Sequence, residues 1–142
     1  MESSEVRRHL RELLERAKRA AAEKRANADL ANRDFPTFLE KVATPLFRQT
    51  ASVLKSEGFA FTVFTPGGSL KLAADRNPQD FIELRLDTSG DEPVVLGHIS
   101  RAYGRRILES ERPVARGPVR EITETQVMAF LTEALQPFVE RH

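Results

Sequence analysis

The sequence predicts an α+β domain: an antiparallel β-meander of four to five strands, a long N-terminal helix, a second helix, and a C-terminal helix packed on the sheet. Three observations carry this. The first 35 residues contain neither Pro nor Gly and are dominated by Ala, Leu, Glu, Lys and Arg, the strongest helix formers. At Phe59 the apolar period changes to the two of a strand, and after Thr123 it returns to the helical one. Helices flanking a block of strands, rather than alternating with them, mark the α+β class.

Residues 5–33 read as one helix. Val6, Leu10, Leu13, Ala17 and Ala20 recur in steps of four and three, a narrow seam of the coiled-coil kind. Lys24 and Asn27 occupy the next two seam positions, so the apolar line holds for about two heptads. Asn32-Arg33-Asp34-Phe35-Pro36 is expected to interrupt the helix, with Pro36 in the first turn of a new one. This divides the chain into a charged N-terminal helix, residues 1–34, and an α+β body, residues 35–142. In residues 36–57, Leu39, Val42, Ala43, Leu46, Phe47, Val53 and Leu54 define a wide core-facing stripe. Pro45 should bend or end its first segment, and Gly58 stands where a left-handed C-terminal cap is expected.

Thr65-Pro66-Gly67-Gly68-Ser69 joins strands at 59–65 and 69–74 in a hairpin, and Asp75-Arg76-Asn77-Pro78-Gln79-Asp80 forms the next turn. Ile82, Leu84 and Leu86 alternate with Glu83, Arg85 and Asp87, a strand with one wet face. A fourth strand covers 94–101 and a possible fifth covers 106–112, after the Tyr103-Gly104 bend. Connections this short require antiparallel pairing. Thr123 and Gln126 form a capping box flanked by an Ile122–Val127 staple, opening a helix whose stripe runs from Val127 to Phe138. Pro137 should bend or end that helix.

Composition bounds the function. The 142 residues fit one domain, and 22 Lys+Arg against 21 Asp+Glu give no global attraction to polyanions or membranes. With no cysteine, disulfides, thiol catalysis and thiolate metal sites are excluded. There is no apolar run of signal-peptide type and no window near the ~20 apolar residues of a membrane span, so a soluble, cytoplasmic protein without membrane contact is expected.

No catalytic, cofactor or metal motif emerges, and none of these sites is expected. Gly67-Gly68 lacks the Lys-Ser/Thr of a phosphate loop and joins two strands. The carboxylates between Asp75 and Glu92 lack calcium-loop spacing and suit turns. His9, His98 and His142 show no ligand spacing. The seam residues Val6, Leu10, Leu13 and Ala17 are the candidate contacts for a protein partner or a second copy. Arg101, Arg105, Arg106, Arg112, Arg116 and Arg120 face only Glu109 and Glu111 within their segment, and arginine suits forked contacts with phosphate or carboxylate.

Three functional readings follow. The first is a non-enzymatic interaction or assembly module acting through the N-terminal helix. The alternative is a nucleic-acid or other polyanion binder using residues 101–120. A third is a small-ligand domain or enzyme with a pocket near His98, Ser100 and Tyr103, although alternation sets His98 and Ser100 on one face and Tyr103 on the other.

Overall fold

The computed structural model describes residues 1–140, so His142 lies outside the described residues. Helix α1 (Ser3–Phe38) passes through a π-helical turn, Leu39–Ala43, into α2 (Thr44–Ser56). Five strands follow, β1 (Phe61–Phe64), β2 (Leu70–Ala74), β3 (Phe81–Asp87), β4 (Val94–Tyr103) and β5 (Arg106–Pro113). A short 3-10 turn, Val119–Glu121, precedes α3 (Glu124–Glu140). The strands pair in chain order, all antiparallel, so the expected α+β meander is present with five strands.

The expected break at 32–36 is overturned: α1 runs through Pro36 without interruption. The ring removes one N–H and crowds the carbonyl four residues back. Pro36 is exposed, however, so that carbonyl can turn to water. Pro45 does divide the helical run, by widening rather than a stop. Its ring would press on the Lys41 carbonyl in a regular α-turn. Over Leu39–Ala43 the helix opens instead, and the Thr44 N–H reaches back to the Leu39 carbonyl. Pro45 then sits in the first turn of α2, where its missing N–H is harmless. Pro137 also lies inside its helix and does not end it at that point.

The helices cover one face of the sheet. Ala31, Phe35 and Phe38 of α1, Phe47 of α2, and Val127, Phe130, Leu131, Ala134 and Leu135 of α3 pack with Phe61, Leu70, Leu72, Ile82, Leu84 and Val95. Gly97 belongs to this interface. A Cβ there would lie 2.0 Å from Phe130 Cζ, so the missing side chain lets α3 approach β4.

The local signals act as expected. Gly58 adopts φ +93°, and its N–H closes the end of α2 on the Lys55 carbonyl. Gln126 N–H donates to Thr123 Oγ1 at 3.2 Å, while Gln126 Oε1 accepts from the Thr123 N–H at 2.9 Å. Ile122 and Val127 are both buried beside that cap. The turn before β3 is tied to β4: Asp80 Oδ1 accepts from the Ala102 N–H at 2.7 Å, and Ser100 Oγ donates to the Gln79 carbonyl at 2.8 Å.

Candidate functional site

Helix α1 changes character along its length. Residues 1–27 are all exposed, whereas Ala31, Phe35 and Phe38 are buried in the core. The bare part forms an arm about 35–40 Å long at 1.5 Å per residue. Leu10, Leu13 and Leu14 are 52, 52 and 58% exposed and Val6 is 41% exposed, so the apolar seam faces water. Its expected members Val6, Leu10, Leu13 and Ala17 therefore stand together on an exposed surface, and Leu14 widens their stripe.

The seam and the core contact lie on the same side of the helix. Leu13, Ala17 and Ala20 precede Ala31, Phe35 and Phe38, respectively, by about five full turns at 3.6 residues per turn. The stripe that packs on the sheet thus continues outward past the end of the body. Lys24 marks the junction, where its Nζ donates to the Ser89 carbonyl at 3.3 Å. The receiving loop is held by Asp87, whose Oδ1 accepts from the Ser89 hydroxyl at 2.6 Å and the Ser89 N–H at 2.9 Å. Those two bonds, hydroxyl first, hold the Asp87 carboxyl below its ordinary range, and the Arg85 charge adds to them.

The six arginines do not form one surface. Arg101, Arg105 and Arg106 surround the β4–β5 turn, with Arg101 5.7 Å from the Tyr103 ring. Arg116 and Arg120 follow the other end of β5, about 20 Å away along the strand. Between them Arg112 is engaged: its guanidinium lies 5.5 Å from the Phe130 ring, and its Nη1 is 3.3 Å from Glu133 Oε2. Among the described residues its buried Nε has no hydrogen-bond partner, as expected for a guanidinium laid against a ring. Arg112 pairs across the ladder with Gly97, so the same gap admits Phe130 and seats the arginine.

In the third group His98 and Ser100 share one face of β4, as alternation expects, but the three residues do not converge on a cleft. Ser100 is 1% exposed and spends its hydroxyl on Gln79. His98 lies on the sheet face away from the helices, edge-on to Phe81 at 5.3 Å and with Nε2 3.3 Å from Glu109 Oε1. Around it Lys71 sits 4.0 Å over Phe81, and Arg85 bonds Glu111 at 3.0 Å and approaches Glu83 at 3.8 Å. Tyr103 is exposed at the hairpin. Clefts of about 190 Å³ beside Phe59, Asp75 and Phe138, and of about 220 Å³ between Asn27, Asp34 and Glu92, involve none of the three residues. More open grooves of about 630, 590 and 530 Å³ along the arm, beside Pro45 and beside Phe130 also involve none of the three.

Sequence reasoning missed two residues that matter. Leu14 lies one position off the strict seam, and Gly97 lies inside a strand pattern, where an isolated glycine does signal close approach of another element. Among the described residues no three His, Asp or Glu side chains gather as a metal group, and no helix is long and apolar enough to cross a membrane.

Comparison with protein-family models, curated proteins and solved structures finds no match for this chain.

Proposed function

We propose that the protein is a non-enzymatic interaction or assembly module whose N-terminal arm is its docking element. One observation carries the reading: residues 3–27 form a continuous, fully exposed helix bearing Val6, Leu10, Leu13, Leu14 and Ala17 on one stripe. Among the described residues, the buried residues of α1, Ala31, Phe35 and Phe38, all lie beyond this segment. An amphipathic helix presenting anchors at helical spacing is a standard way to occupy a groove or another helix.

The test is a photo-cross-linking residue placed at Ala17 in the producing cell. A discrete adduct between this chain and a protein, whether another kind or a second copy, is expected. Its yield should fall when Leu10→Glu and Leu13→Glu are added. No adduct above that of the same probe placed at exposed Arg8, on the helix's outer side, would contradict the reading.

A second, narrower reading keeps the hairpin tip as a polyanion contact. Arg101, Arg105 and Arg106 remain together there beside exposed Tyr103. Arg105→Ala with Arg106→Ala should then weaken binding to nucleic acid and flatten its salt dependence by about two counterions. Failure of the unaltered protein to bind DNA or RNA at low salt would remove this reading.

A further inference from the structure

We propose that the outer edge of β5 takes up an extended segment of another protein as a sixth strand. That segment carries basic residues opposite Glu109 and Glu111 and turns apolar ones to the groove beside α3. The site is separate from the N-terminal arm and does not depend on the arm's role.

The backbone supplies the edge. β5 ends the sheet, with β4 on one side and no strand on the other. The Val114 N–H donates to the Val95 carbonyl at 2.9 Å, which sets the alternation of the ladder. Arg106, Leu108, Ser110 and Arg112 therefore turn their backbone groups to β4, while Ile107, Glu109 and Glu111 turn theirs outward. An added strand finds an N–H and a carbonyl at every second residue of this edge. Pro113 offers a carbonyl but no N–H, so it limits the ladder at that end.

Side chains give the edge two unlike faces. Arg106, Leu108, Ser110 and Arg112 lie on the helix-covered side, and Ile107, Glu109 and Glu111 on the uncovered side. On the helix-covered side an open groove of about 530 Å³ is bordered by Arg112 and Val114 of the sheet and by Gln126, Ala129, Phe130 and Glu133 of α3. The arginines at its two ends disfavour a cation there, and exposed Leu108 between them favours an apolar residue. On the uncovered side more than half of each glutamate side chain is exposed. Each meets its own chain through Oε1, Glu109 at His98 and Glu111 at Arg85. Among the described residues Oε2 of both has no ion-pair partner. Lys71, also on this face, belongs to β2, three strands in from the edge.

The same charges set β5 against a second β5. Joining all three outward residues to those of a copy places Glu109 on Glu109 and Arg106 on Arg112. Sliding by two residues one way places Glu109 on Glu111. Sliding the other way removes these clashes but leaves only Ile107 and Glu109 in the ladder. Like charges directly opposite destabilise a strand pair and unlike charges stabilise it. The edge therefore discriminates against itself and in favour of a strand with lysine or arginine at two alternate positions.

The probe is a short capped peptide in which valine and lysine alternate; its control holds the same residues with the lysines in one block. Amide hydrogen exchange is followed by NMR in the full-length protein. Saturating alternating peptide should slow Ile107, Glu109 and Glu111 about tenfold or more, and leave Leu108 and Ser110, already bonded to β4, unchanged. The block control should bind about tenfold more weakly. Glu109→Gln with Glu111→Gln should weaken the alternating peptide, and Glu109→Lys with Glu111→Lys should shift the preference to a valine–glutamate peptide. Absence of binding, equal affinity for the two lysine peptides, indifference to the glutamine substitutions, or slowed exchange only at other amides would overturn the proposal. So would slowing of the three amides in peptide-free protein as its concentration rises, which would assign the edge to a second copy.

Discussion

The two ends of α1 have similar helix-forming composition but opposite surroundings. Toward its C-terminus, Ala31, Phe35 and Phe38 are sealed against the sheet. Toward its N-terminus, residues on the same side of the same helix meet only solvent. Helical propensity and continuity with an anchored segment suffice to extend the arm, since the unfavourable nucleation step is already satisfied in the body. An apolar stripe facing water is a different matter: among the described residues no other element covers Leu10, Leu13 and Leu14. The sheet face turned away from the helices sharpens the contrast. It is also uncovered, yet its side chains answer one another, Lys71 with Phe81, His98 with Glu109 and Arg85 with Glu111. Exposure alone is therefore not the basis of the proposed docking role; that role rests on exposed apolar groups that, among the described residues, no other element covers.

The largest expected effects lie in the body. Gly97→Ala drives a methyl into the Phe130 ring and should lower stability by about 3 kcal/mol, at the upper end of overpacking costs. Phe35→Ala should cost about 3–5 kcal/mol by emptying the point where α1 meets the core. Both are read from chemical denaturation. Leu10→Ala, on the other end of the helix, should change the body's stability by less than about 0.5 kcal/mol, as for exposed positions generally. A loss from Leu10→Ala comparable to that from Phe35→Ala would mean the arm belongs to the core after all.

The smallest effect concerns the junction. The lowered carboxyl of Asp87 favours the fold above the unfolded aspartate's pKa, and that support fades as pH falls through the lower folded value. Protection of the Ser89 amide from hydrogen exchange should therefore persist into mildly acidic solution and disappear only below the ordinary carboxylate range. Asp87→Asn should remove the acid-dependent part while leaving exchange in the arm unchanged. Equal loosening of the arm would show that the loop, rather than the helix, sets the arm's direction.

Much of the fold was legible because its signals are local. The alternation in β3, the Gly58 cap and the Thr123–Gln126 box each depend on residues within one turn or strand. Helix continuity at Pro36 was not legible, because the effect of proline depends on which side of the helix faces water, and packing decides that. The arginines failed as a single surface for a similar reason. Their spacing showed a cluster in sequence, while an extended strand carried its two ends apart and Phe130 with Glu133 engaged its middle. The seam residues fared differently. Their grouping follows from helical periodicity, but whether they were buried at home or left bare depended on where the sheet ends.

The most direct measurement of the central claim is the adduct yield of a photo-cross-linking residue at Ala17, beside the same probe in the Leu10→Glu, Leu13→Glu protein. The account predicts a discrete protein adduct whose yield the two substitutions lower. An adduct no stronger than that from the probe at exposed Arg8 would contradict it.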